Sequence, residues 1–135
     1  MIHEHPTQGT ILVCDFSGFV EPEMTKRRPV IVVSKKIDSR PDLCTIVPLS
    51  TTEPKVILPM HYLLVLDPPL PYPYNSQQHW VKGDMLYAFR FERFNYLKTG
   101  KDSEGKRTYV HPVISSDQLS RVQKCIMAGL GIFKY

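Results

Sequence analysis

T-K-R-R-P-V-I-V-V-S, residues 25–34, sets three cations and a proline against four consecutive β-branched apolar residues, Val30, Ile31, Val32 and Val33. Such a run suits a strand covered on both faces, because a strand with one wet face alternates polar and apolar positions. Pro29 is expected to be the strand's first residue, where no ladder donor is needed. Proline also restricts the residue before it to extended backbone, so the direction of Arg28 should be well determined. A guanidinium held at the rim of a rigid sheet can grip phosphate or carboxylate through two parallel hydrogen bonds. On this stretch alone, a basic strand end exposed to water accounts for the same residues.

Working outward, T-I-L-V-C-D-F at residues 10–16 reads as the first strand, bounded by Gly9 and by Ser17-Gly18. The polar segment from 17 to 27 is a loop long enough to be functional. C-T-I-V-P-L at 44–49 is a third strand, ending in Ser50, Thr51 and Thr52. Residues 55–66 suggest a broken strand pair bent near Pro59, and the four prolines of D-P-P-L-P-Y-P-Y-N, 67–75, an extended wall or docking strip. W-V-K-G-D-M-L-Y-A-F-R-F, 80–91, is the longest expected strand, with Gly83 a bulge or close-approach point. A Gly- and Lys-rich hairpin loop over 97–107 and a short strand over 108–113 follow. Ser115 and Gln118 have capping-box spacing, and Leu119, Val122, Ile126 and Leu130 recur near the helical period until Gly131 offers a stop. Many short strands, Gly/Pro turns and one late helix predict a mainly β fold, a small partly open barrel with the helix packed on it.

At 135 residues the chain is expected to be a single domain, 1–135, able to bury a core without staples. Its formal charge of +4 permits a polyanionic partner without demanding one. Cys14, Cys44 and Cys125 are odd in number, widely spaced and free of CxxC pattern, which indicates reduced thiols, a cytoplasmic location and no zinc. No metal or other cofactor is expected. The first residues hold no apolar signal core, and the longest apolar run, 62–66, is too short to span a bilayer, so no membrane role is expected. P-loop, GxSxG, HExxH and helix-turn-helix patterns are absent.

The order of these pieces resembles the PemK/MazF family of toxin ribonucleases from bacterial toxin–antitoxin pairs. The resemblance runs through G-T-I-L-V-C-D-F at 9–16, E-x-x-x-x-R-P-V-I-V-V-S at 23–34, I-V-P-L-S-T at 46–51, W-V-K-G-D-M at 80–85 and the closing helix. The 67–79 insert and the 98–107 loop are less typical of the short toxins. The resemblance implies an SH3-like PemK/MazF/CcdB-type barrel, usually a homodimer, that cuts single-stranded RNA without a metal and is held by a cognate antitoxin.

Cleavage of that kind needs a base for the ribose 2′-OH, cations for the pentacovalent phosphorus and an acid for the departing oxygen. Arg28 matches the family's arginine before proline, which implies phosphate stabilisation and, through its environment, proton donation; a surface ion pair with Glu23 is the plainer role. Ser50 stands where many relatives carry a catalytic-site threonine, and a strand-end cap would also explain it. Lys82 and Asp84 match a cation and an acid two residues apart in some relatives, and strand alternation would put both on one face. A simple ion pair would have the same spacing. Glu23 is a reserve base, and Pro22 replaces a histidine that some relatives carry. Lys26, Arg27, Thr51 and Trp80 complete the expected RNA contacts, with Tyr72 and Tyr74 as further stacking rings. His61, His79 and His111 are expected at edges or on the surface. The alternative reading is a non-catalytic member of the family, a nucleic-acid- or protein-binding module that has lost turnover.

Overall fold

The structure, a computed structural model, describes residues 1–132. Among them are nine strands and one long helix: β1 Ile11–Asp15, β2 Arg27–Val32, β3 Leu43–Ser50, β4 His61–Val65, β5 Gln78–Lys82, β6 Tyr87–Arg90, β7 Phe94–Asn95, β8 Leu97–Lys101, β9 Arg107–Val110 and α1 Ser116–Gly129. Seven strands form an antiparallel sheet in the order β4-β5-β3-β2-β1-β7, with β6 also on β3, while β8 and β9 form a hairpin. The mainly β fold with a C-terminal helix expected from the sequence is the fold observed.

The β-branched run does bury both faces. Ile31 packs with Ile11, Val13, Val47 and Leu49 in one core. Val30 and Val32 pack with Leu12, Cys14, Cys44 and Ile46 in a second core on the other side of the sheet. Alternation therefore assigns the β2 side chains from Val30 to Val32 to one core or the other.

Pro29 is not the first residue of β2, which begins at Arg27 and pairs Pro29 with Val13 of β1. Its missing donor acts on the opposite edge. The N–H groups of Phe16 and Val32 bond Lys26 and Thr10 carbonyls across β1–β2, so Pro29 occupies a position whose amide would face β3. The β2–β3 ladder stops one residue earlier, at Val30–Pro48. Beyond it, Arg27 and Arg28 remain paired with β1, whereas Leu49 and Ser50 pair with Val81 and Trp80 of β5. Pro48 plays a matching part on β3: its outer neighbour changes there from β6, paired as far as Ile46, to β5, paired from Leu49. Each proline lies where a ladder bond is not required.

Other expectations need correction. Val56, Ile57 and Leu58 are exposed and form no strand, leaving β4 alone where a strand pair was expected. The 67–75 segment is folded back, with a turn closed by the Tyr74 N–H to the Pro71 carbonyl at 3.0 Å and with Leu70 buried. The long strand over 80–91 is two strands, β5 and β6, separated by a turn in which the Met85 N–H reaches the Lys82 carbonyl at 3.0 Å. Half of the expected 97–107 loop is the strand β8. Leu130 is exposed, so the helix buries Val122 and Cys125 instead of the whole predicted stripe.

The helix ends follow their sequence signals. Ser115 and Gln118 make the reciprocal capping box. At the other end Gly131, at φ 75°, lets its own N–H reach the Ala128 carbonyl and that of Ile132 reach Met127, which satisfies the last carbonyls.

Candidate functional site

The parting of β2 from β3 is where the candidate residues gather. Two residues past the last β2–β3 pair, Val30–Pro48, stand Arg28 on β2, paired with Cys14 of β1, and Ser50 on β3, paired with Trp80 of β5. Arg28 shares the face of Val30 and Ser50 that of Ile46, both in the second core, while Trp80 alternates with Val81 of the first, so all three lie on the side of the second core. Arg28 is half-buried, and its Nε donates to the Thr25 carbonyl at 2.8 Å, which fixes the guanidinium base and leaves the fork's outer nitrogens for a ligand. Among the described residues Arg28 forms no ion pair, with Glu23 or any other group. Ser50, 7% exposed, accepts the Thr52 N–H at 3.1 Å. That is the strand-end cap, yet it uses the oxygen's lone pair and leaves the O–H able to donate.

Lys82 is half-buried and shares the face of Trp80, two residues farther along β5. Asp84 does not, because the strand has ended: it is exposed in the turn between β5 and β6, so the expectation that alternation places Lys82 and Asp84 together fails. What positions Asp84 is backbone packing against α1. A Cβ on Gly129 would come within 2.8 Å of the Asp84 Cα, and one on Gly83 within 2.5 Å of the Cys125 carbonyl carbon. Gly83 is thus the close-approach point the sequence suggested. The two strands run antiparallel, so the chain from Trp80 to Asp84 leads away from Ser50. Among the described residues Lys82 and Asp84 form no ion pair with each other.

The 17–26 loop is anchored on its inner side. Phe19 packs edge-on to Phe16 and Tyr87, Met24 is buried, and its N–H donates to the Tyr87 hydroxyl at 3.1 Å. Arg93, which sequence reasoning missed, lies 5.0 Å over both the Phe19 and the Phe89 rings and donates to the Asp15 carbonyl at 3.0 Å. Glu23 braces its own loop by accepting the Val20 N–H at 3.2 Å. Lys26 turns the loop into β2 through a left-handed backbone, φ 68°, uncommon for a residue with a side chain. Lys26 and Thr51 are exposed on either side of the parting. Arg27 is exposed too, 3.8 Å from Asp15, whose carboxyl is held below its ordinary range by hydrogen bonds from Ser17 and less by Arg27.

His79 contradicts the expectation of an edge residue: it is 1% exposed, paired with Leu64, and its Nε2 has no hydrogen-bond partner. His61 and His111 are partly or fully exposed. The three cysteines are free and buried, and burial pushes the Cys14 thiol up to about 12 and that of Cys44 to about 11, so both stay protonated. Among the described residues no group of three or more His, Cys, Asp or Glu is placed to hold a metal, and no helix is long and apolar enough to cross a membrane.

Arg27 points away from Arg28, into a cleft of about 580 Å³. Its walls are the Pro71–Tyr74 turn on one side and, on the other, Tyr96 with β8 and β9, which contribute Lys98, Arg107 and Tyr109. Sequence reasoning missed these because residues 97–107 read as loop; the signal was the flanking pattern of tyrosines beside cations, Tyr96 with Lys98 and Arg107 with Tyr109.

Over residues 7–130 the sequence matches the family described as PemK-like, MazF-like toxin of type II toxin-antitoxin system. It is 25% identical over 148 residues to YifN, an uncharacterized protein of Escherichia coli (strain K12), across 96% of this chain and 94% of that one. Among solved structures it is similar to an endoribonuclease in complex with its cognate antitoxin from Mycobacterial species, with TM-score 0.64 and 14% identity over 96% of this chain and 99% of that one. It is also similar to MazF (Form-I) from Deinococcus radiodurans, with TM-score 0.57 and 17% identity over 94% and 97%. At those identities the structural likeness speaks for the fold. The family match carries further, since it runs unbroken from the turn before β1 to the cap of α1, and the chain belongs to the PemK-like, MazF-like toxins of type II toxin–antitoxin systems.

Proposed function

We propose that this protein is an endoribonuclease toxin that cleaves single-stranded RNA by attack of a ribose 2′-OH on the adjacent phosphorus. The 2′-oxygen forms the new P–O bond as a base takes its proton, and the P–O5′ bond breaks as the leaving oxygen gains one. The products are a 2′,3′-cyclic phosphate and a 5′-OH. The observation that carries this reading is that an Arg28 guanidinium, free of ion pairs among the described residues, and a Ser50 hydroxyl whose O–H is left to donate stand on the two strands just past the point where the β2–β3 ladder stops. Both can donate to non-bridging oxygens, and donors already in place stabilise the charge that grows on them. Lys82 adds positive charge on the same face, Trp80 offers a ring for the neighbouring base, and Glu23, Lys26, Arg27 and Thr51 border the strand's approach. Asp84 is the proposed base. A cognate antitoxin is the proposed protein partner, as in the mycobacterial complex, with a homodimer as the working assembly and the cytoplasm as the location.

A non-catalytic binding module is the second reading, favoured by the two carboxylates: Asp84 is off the strand face and Glu23 is engaged with Val20. Incubating the protein and its Arg28→Ala variant with a long unstructured RNA in EDTA separates the two readings. Cyclic-phosphate ends from the wild type alone support cleavage through Arg28. Binding of several unrelated RNAs without any cleavage supports the module.

A further inference from the structure

The cleft on the Arg27 face is built of residues that the cleavage chemistry does not use. Three cations line it, Arg27, Lys98 and Arg107, and no Asp or Glu does. Among the described residues the carboxylate engaging them is that of Asp15, 3.8 Å from Arg27, and with both partners well exposed that pair is weak and readily exchanged. Between the cations stand tyrosines: Tyr72 is 84% exposed on one wall, Tyr109 is 43% exposed on the other, and Tyr74 is packed into the core beneath. Cations spaced along a groove with rings between them suit a chain of phosphates whose bases can stack. An acidic protein segment would satisfy the charges equally well, but it carries few flat faces for the rings.

We propose that this cleft binds a segment of single-stranded RNA continuous with the one cleaved, holding phosphates on Arg27, Lys98 and Arg107 and bases on Tyr72 and Tyr109. The inference rests on the endoribonuclease reading for its choice of polyanion. Arg27 and Arg28 are consecutive, so a strand leaving the parting of β2 and β3 meets the cleft by crossing the start of one β-strand. The length of RNA bound is then set by the 67–75 turn and the β8–β9 hairpin.

The test is the anisotropy of a labelled 12-nucleotide oligouridylate, titrated in EDTA with Arg28→Ala protein so that no cleavage intervenes. Into that background go Lys98→Ala/Arg107→Ala, Tyr109→Ala, and Lys35→Ala/Lys36→Ala, which removes the same charge from exposed sites outside the cleft. Thermal melts confirm that each folds. The cleft double variant should weaken binding about tenfold or more and reduce the salt slope by about 1.4, at roughly 0.7 per phosphate contact on a single strand. Tyr109→Ala should weaken it about fivefold or more, and Lys35→Ala/Lys36→Ala much less than the cleft pair. Equal losses from both double variants, or none from the cleft pair, would overturn the proposal. So would hexaglutamate competing as well as a hexanucleotide of uridine, since the cleft would then take any acidic chain. Cleavage by the wild type with no dependence on the cleft removes this inference and spares the nuclease; cleft-dependent binding without cleavage does the reverse.

Discussion

Arg27 and Arg28 are adjacent in the chain and serve opposite sides of one sheet. On the Arg28 side, Ser50 and Trp80 are held by strand ladders, so their relative positions are set by register and two prolines. On the Arg27 side, the cleft is walled by segments from residues 71–74 and 95–109, which no ladder joins to β2. A row of side chains on paired strands can hold a reacting phosphate to a fraction of an ångström, which chemistry requires. Walls made of a turn and a hairpin outside the main sheet give breadth and charge without that precision, which suffices for gripping a polymer.

The sharpest way to break this division is at the two arginines. Arg28→Ala should reduce kcat for RNA cleavage by about 10²–10³, the usual loss on removing one preorganised donor from developing negative charge. Arg27→Ala on the same RNA should change kcat little and raise KM by less than about tenfold, because a phosphate contact made equally before and during reaction is uniform binding. Steady-state kinetics on one RNA decides it. Equal falls in kcat would mean that the two sides act as one site.

The next effect concerns what holds Asp84. In an open helix, replacing Gly129 by alanine would gain about 1 kcal/mol. Here the new Cβ lies 2.8 Å from the Asp84 Cα, and at Gly83 it lies 2.5 Å from the Cys125 carbonyl carbon, both of them backbone atoms that cannot rotate aside. Gly83→Ala should therefore destabilise by about 1–3 kcal/mol, with Gly129→Ala closer to neutral as propensity offsets strain. Thermal unfolding would show a fall of about 3–10 °C for Gly83→Ala. Cleavage should fall with it if Asp84 is the base, while binding of RNA in the cleft persists.

What the sequence revealed divides along the same line. β1, β2, β3 and the capped helix were legible because each is a local pattern: a β-branched run, a Pro-Leu-Ser strand end, a Ser-x-x-Gln cap. The Arg28 and Ser50 candidates were legible because they stand at the ends of those patterns. Asp84 was misplaced since apolar content alone does not show that the chain turns at Gly83; the turn packs closely against the helix, where Cys125 and Gly129, far along the sequence, approach its backbone. The cleft was unreadable for a related reason. Lys98, Arg107 and Tyr72 converge only through tertiary placement of the β8–β9 hairpin and the 67–75 turn, and neither segment carries a clear periodic signal. His79 was misread because burial of a histidine follows from its pairing with Leu64, and one sequence does not state that pairing.

A smaller effect sharpens the role of Trp80. It is half-buried beside Ser50, so Trp80→Leu keeps apolar packing and removes the larger stacking surface. A loss of about 1 kcal/mol or more in substrate binding is expected, read as a rise in KM of at least about fivefold. In the binding titration Trp80→Leu and Tyr109→Ala should add, as they lie on opposite sides of the sheet. Strong non-additivity would instead place both rings on one stacked run of bases.

The smallest expected effect is on stability against pH, and it belongs to the cleft side alone. His79 backs the 67–75 turn, and burial holds its imidazole below the ordinary 6.5, an effect offset in part by backbone groups of Ser76 and Tyr74. A histidine whose folded pKa is depressed binds its proton more readily in the unfolded chain. Its contribution is therefore complete above about 6.5 and is lost as pH falls from there toward the folded value. Melts of wild type and His79→Gln at pH 7.5 and 5.5 isolate this group, because the carboxylates titrate alike in both proteins. The wild type should lose more stability on acidification than the variant. If the turn is the wall of an RNA cleft, the same acidification should loosen oligouridylate binding in the wild type more than in His79→Gln. The rate of cleavage of a dinucleotide too short to reach the cleft should follow one pH profile in both proteins, because His79 pairs with Leu64 and alternates with Trp80, on the face of the sheet opposite to that of Arg28.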